Sequence, residues 1–278
     1  MGFDYVPIHF WIQNTYIGFP QPETWINHNT GLISGREAFE AFPWDEISID
    51  YKPLDLAEKY LPDGMKLVAV SGDFQDLLDV LIGTESFFMM MYDDPVLLDE
   101  LIQRWFSAKL SLYETVLARD SVGAIFTCAD LGSKNSTLVS PEFIKTKLIS
   151  WYKKYGNAAH EAGKMFWFHC CGNIYKQNVI ELLIDEARID AFHSFQDVIL
   201  PVTEFVRRYG KRVAAFGGID LDKLCSLGEK ELRQLIRSTL DSCMATGRYA
   251  LGTGNSVASY VPLKNWLILL EEAGIYSV

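Results

Sequence analysis

Short apolar runs alternate with longer amphipathic stretches along the whole chain. The runs are VPIHFWI (6–12), EISIDY (46–51), KLVAVSG (66–72), GAIFTCAD (123–130), KMFWFHCC (164–171), IDAFHSFQ (189–196), RVAAFGGID (212–220) and RYALGTGN (248–255). Most are continuous in Val, Ile, Phe and Ala instead of alternating with polar residues. That is the pattern of strands buried on both faces of a parallel sheet.

The stretches between them have helical spacing and recognisable ends. SPEFIKTKLISWYKKYGNAAHEAG (140–163) opens on Ser140 as N-cap, has Pro141 at the first helical position and stops at Gly163. DPVLLDELIQRWFSAKLSLYETVLARD (94–120) starts at Asp94-Pro95. EKELRQLIRSTLDSCMATG (229–247) ends on Gly247, and PLKNWLILLEEAG (262–274) runs from Pro262 to Gly274. Eight strands alternating with helices predict an α/β fold, a single (β/α)8 TIM barrel, over one domain of residues 1–278. An open doubly wound sheet would want a phosphate-binding glycine loop after its first strand, and none follows VPIHFW. The second strand is the least regular of the eight, and residues 52–62 are short for a full crossover helix.

Composition narrows the class. The 278 residues are 49% hydrophobic and 22% charged, enough apolar surface for a sizeable core and too little charge for disorder. The net charge of -11 repels phosphate backbones, so nucleic acid is not an expected partner. No apolar run is long enough to span a membrane, and MGFDYVPIHF lacks the basic start of a signal peptide. Five scattered cysteines make no disulfide framework and fit a reducing cytoplasm.

In such a barrel the active site lies at the C-terminal strand ends. Polar residues gather there: Ser71-Gly72-Asp73, then Asp130, then His169-Cys170-Cys171, then His193 and Gln196, then Asp220, then Thr253-Gly254-Asn255-Ser256. His169 and Cys171 are two apart, so on extended backbone they share a face while Cys170 turns into packing. One nitrogen and one sulfur on one face suit a borderline metal such as zinc; a buried thiol beside a hydrogen-bonded histidine is the plain alternative. Asp130 and His193 are the candidate acid–base groups. Gln196, Asp220, Thr253 and Asn255 are candidate substrate contacts, with helix capping the first expectation for Asp220. His160, Cys225 and Cys243 fall inside helices and read as structural.

DLGSKNSTLVSPEFIKTKLISWYKKYGNAAHEAGKMFWFHCCGNI (130–174) resembles the uroporphyrinogen decarboxylase superfamily, and its branch of cobamide-dependent methyltransferases above all. IDAFHSFQ, FGGID (216–220), GTGNSVASYVPLKNW (252–266) and SGDFQDLLDVLIGTESFFMMMYDDPVLLDELI (71–102) extend the likeness over most of the chain. The resemblance implies a (β/α)8 barrel, a homodimer and one of two chemistries. Decarboxylase members remove carboxyl groups from a tetrapyrrole without a cofactor. Methyltransferase members use zinc to bind a thiol that accepts methyl from a corrinoid protein. The chain departs from both. Its N-terminal VPIHFWIQNTYIGFP has no arginine to grip substrate carboxylates; the first is Arg36. At the methyltransferases' second cysteine, after strand eight, stands Asn255, and at the decarboxylases' histidine stands Thr253. The expectation is therefore a methyltransferase-like enzyme with His169 and Cys171 on zinc and a third ligand among Asp130, His193 and Asp220. The alternatives are a tetrapyrrole decarboxylase or a non-catalytic barrel that binds a ligand or a corrinoid protein.

Overall fold

The computed structural model describes residues 5–9, 31–44, 49 and 51–276. Seven strands lie among them: β1 (Tyr5–His9), β2 (Lys66–Gly72), β3 (Val122–Cys128), β4 (Met165–His169), β5 (Ala191–His193), β6 (Ala214–Ile219) and β7 (Tyr249–Thr253). Each falls within or across one of the predicted runs. The predicted strand at 46–51 lies largely outside the described residues, as do residues 10–12 of the first run.

The chain divides into two compact units, one reaching to Asp130 and including Glu142–Phe166, the other taking Leu131–Pro141 and everything from Trp167 on. In the first unit β1 pairs with β2 and β2 with β3, always parallel. In the second unit β4, β5, β6 and β7 pair in chain order, again parallel. Parallel neighbours need a crossover between them, and helices supply it: Phe74–Asp76 through Pro95–Leu117 between β2 and β3, Val179–Asp185 between β4 and β5, Val202–Tyr209 between β5 and β6, Glu229–Cys243 between β6 and β7. Burial on both strand faces is direct: Leu67, Val68 and Ala69 are consecutive and buried, and so are Phe166, Trp167 and Phe168.

Helix ends follow the local chemistry. Asp94 Oδ1 accepts the Leu97 N–H at 2.9 Å with Pro95 next in line, and Gly163 and Gly247 end their helices at φ of 69° and 67°. The last helix departs from expectation. It runs Leu263–Tyr276, straight through Gly274. Glycine in a helix interior costs only about 1 kcal/mol relative to alanine, and packing of Ile268 and Leu269 outweighs it. Residues 52–59 do form a helix, short as the spacing suggested. Among the described residues no helix is long and apolar enough to cross a membrane.

Candidate metal centre

β4 ends on His169 and β5 on His193, and the parallel register sets the two residues side by side. Their Nδ1 atoms are 2.7 Å apart. His193 Nε2 lies 3.1 Å from the Thr253 carbonyl oxygen at the end of β7. A carbonyl only accepts, so Nε2 carries the hydrogen. With both rings neutral, His193 Nδ1 is then the acceptor and His169 Nδ1 the donor. That makes His169 Nε2 the unprotonated, accepting nitrogen, and it faces Cys171 Sγ at 3.4 Å.

The sulfur is held from other sides too. Asn255 Nδ2 approaches it at 3.1 Å and Ser194 Oγ at 3.6 Å. Cys170 turns the opposite way, buried, and its sulfur accepts the Leu131 N–H at 3.2 Å. The alternation read from HCC thus places His169 and Cys171 together and Cys170 apart.

Room for the His193 ring comes from Gly217. A Cβ there would meet the Thr253 carbonyl oxygen and would sit 2.9 and 3.0 Å from His193 Cδ2 and Nε2; its φ of 95° is also one that side chains rarely adopt. Gly217→Ala is therefore expected to displace the ring. The loss of an outer hydrogen-bond partner predicts a roughly 10–100-fold drop in zinc affinity, measurable by competition with a chromogenic chelator.

The remaining candidates fall as follows. Asp130 follows β3, half-buried, in a left-handed conformation at φ 44°, and covalently precedes the Leu131 that is tied to Cys170. Gln196 is exposed; its carbonyl oxygen accepts the N–H groups of Ile199 and Leu200. Asp220 caps the helix Leu221–Ser226: Oδ1 accepts from Asp222 N and Lys223 N, and Oδ2 accepts from Asp197 N at 2.9 Å. Both oxygens are engaged, which is the capping role. Thr253 Oγ1 donates to the Asn255 carbonyl oxygen. Ser194 was not singled out from the sequence; its only signal was its place between His193 and Gln196 at a strand end.

A second polar cluster joins Ser71 and Asp73, named above at a strand end, to residues not singled out from the sequence. In the first unit Lys109 is fully buried, and its Nζ donates to Ser71 Oγ at 3.0 Å and to Asp76 Oδ2 at 3.1 Å. Beside them Asp73 accepts from Thr127 Oγ1 and from the Phe74 N–H. Burial pushes the Asp73 carboxyl up to about 7, against its hydrogen bond from the Phe74 N–H and the nearby charge of Lys109. The signal was available: a lysine on the apolar stripe of the helix Pro95–Leu117, between Trp105 and Tyr113.

The His169–Cys171 pair fits zinc. Bonds of about 2.05 Å to nitrogen and about 2.3 Å to sulfur at a tetrahedral angle put the two donors about 3.6 Å apart, against 3.4 Å here. An unprotonated Nε2, with Nδ1 held by a second group, is also how metal-binding histidines are oriented.

Parallel strands with connecting helices make each unit α/β, with histidines and a cysteine at C-terminal strand ends in the second. The chain belongs to the uroporphyrinogen decarboxylase (URO-D) family, whose model matches residues 38–275. Among solved structures it is similar to a methyltransferase from Methanosarcina mazei, at 15% identity and a TM-score of 0.67, covering 85% of this chain and 68% of that one. It is also similar to an endo-β-1,4-xylanase of glycoside hydrolase family 10 from Gloeophyllum trabeum, at 8% identity and a TM-score of 0.51, covering 81% of each. At these identities the likeness establishes the fold, the TIM-barrel class. No curated protein matches the chain.

Proposed function

We propose that this chain is a methyltransferase-like enzyme that moves a methyl group between a corrinoid protein and a small thiol or methylated substrate, with zinc on His169 and Cys171. The observation that carries this reading is the 3.4 Å approach of His169 Nε2 to Cys171 Sγ, with Nδ1 already committed to His193. Bound there, zinc supplies the Lewis acidity that lowers the pKa of a substrate thiol and makes it a nucleophile near neutral pH. His193, anchored by the Thr253 carbonyl, orients the His169 ring. Of the third-ligand candidates, His193 has its ring nitrogens facing His169 and Thr253, and Asp220 is spent on capping. Gln196, Thr253 and Asn255 are the proposed substrate contacts. The absence of arginine from residues 6–20 speaks against a polycarboxylate substrate. Five cysteines outside any disulfide fit a reducing cytoplasm.

The test joins metal content to transfer. Purified protein is expected to hold one zinc per chain by mass spectrometry and to demethylate methylcobalamin in the presence of small thiols, with both lost on chelation. Protein that takes up no zinc at micromolar concentration, or transfers methyl equally well without it, refutes the proposal.

A further inference from the structure

We infer that Asn255 and Ser194 hydrogen-bond the Cys171 sulfur to keep it a ligand and damp its own reactivity toward electrophiles. The inference rests on the reading of Cys171 as a metal ligand for its purpose, though not for its test. An enzyme that passes an alkyl group to a substrate sulfur carries a hazard in its own thiolate: the two sulfurs are chemically alike, and either can attack the same carbon. Geometry separates them. Donated N–H and O–H groups draw electron density from the sulfur lone pairs, and Cys171 receives one of each.

The Asn255 amide has no freedom to turn away. Its Oδ1 accepts the Ser256 N–H at 2.7 Å, so Nδ2 is the end that faces the sulfur at 3.1 Å. Its backbone carbonyl is held in turn by Thr253 Oγ1 at 2.5 Å. Ser194 is 5% exposed, directly after His193, and its hydroxyl points at the same sulfur. The turn after β7 therefore steers both halves of the centre. The Thr253 carbonyl fixes the nitrogen arm through His193, and the Asn255 amide holds the sulfur arm. Asn255 and Ser194 are positioning residues in this scheme, acting through Cys171.

The experiment measures alkylation of Cys171 by iodoacetamide in chelator-stripped protein at about pH 9.5, above the ordinary cysteine pKa of ~8.5. Peptide mass spectrometry follows Cys171, with Cys225 as internal control. Asn255→Leu keeps the bulk and removes the N–H donor; Ser194→Ala removes the hydroxyl. Losing one hydrogen bond predicts a rate increase of about 2- to 10-fold at Cys171 in each variant, with Cys225 unchanged. A Cys171 rate equal to wild type in both variants overturns the inference, and so does a parallel rise at Cys225, which reports general loosening. Zinc content is read separately. Faster alkylation in a protein that never binds zinc sinks the metal reading and leaves the cradle standing; stoichiometric zinc with unchanged alkylation does the reverse.

Discussion

Lys109→Met is expected to destabilise the protein by about 3–5 kcal/mol, read as a lower urea midpoint at unchanged slope. The Lys109 side chain has no solvent exposure, and its ammonium is the partner of Asp76, whose side chain is 10% exposed. Its Nζ also sits 4.6 Å from the centre of the Trp105 ring. Burial pushes the lysine pKa down, and the Asp76 carboxylate is the main influence holding it up. Removing the cation leaves Asp76 desolvated with its positive partner gone. Replacing both groups removes that penalty, so Lys109→Met with Asp76→Leu should recover most of the loss. A double variant as unstable as Lys109→Met alone would mean that packing against Trp105 carries the effect. Asp73 adds a pH signature. Its folded pKa, about 7, lies above the ordinary value of ~3.9, so the folded state favours the protonated form. The folded protein then binds more protons than the unfolded chain between those values, and stability falls as pH rises from about 4 to about 7. Asp73→Asn should flatten that fall.

Different parts of this molecule were legible to different depths. FWFHCC could be read from local rules alone: buried aromatic residues in succession mean a doubly covered strand, and the two-residue period sorts His169 and Cys171 from Cys170. The partnership of His169 with His193 could not, because it depends on the register of β4 against β5 and on the clearance left by Gly217 on β6. Ser194 and the inward turn of the Asn255 amide depend on side-chain orientation in loops, for which no periodicity exists. Lys109 was hidden for the opposite reason: it lies inside a strongly periodic helix, where a single charge in an apolar stripe is easily taken for a tolerated exception. Gly274 failed as a stop signal because its cost is small against the burial of its helix.

Cys171→Ala and His169→Ala are each expected to abolish stoichiometric zinc binding, while Cys170→Ala keeps it. All three remove or truncate one side chain within a three-residue stretch, so general damage to the strand end would hit them alike. The structure gives them different jobs. Cys171 and His169 offer their donors to one point, with Nε2 stripped of its proton by the chain of bonds from Thr253 through His193. Losing either leaves a single strong donor, too few for the three protein ligands that catalytic zinc keeps. Cys170 spends its sulfur on the Leu131 amide in a buried setting. Its truncation should cost roughly 1 kcal/mol of stability, the size of a small core deletion, without touching the metal. His193→Gln lies between these extremes: it removes the group that orients His169 but no ligand, so affinity should fall about 10–100-fold instead of vanishing. Titration with cobalt gives the readout, because a sulfur-to-metal charge-transfer band reports ligation by Cys171 directly. Wild type, Cys170→Ala and, at higher metal concentration, His193→Gln should show the band, and Cys171→Ala should lack it at any concentration. A Cys171→Ala protein that binds zinc as tightly as wild type, or a Cys170→Ala protein that loses the band, would show that the wrong sulfur has been assigned.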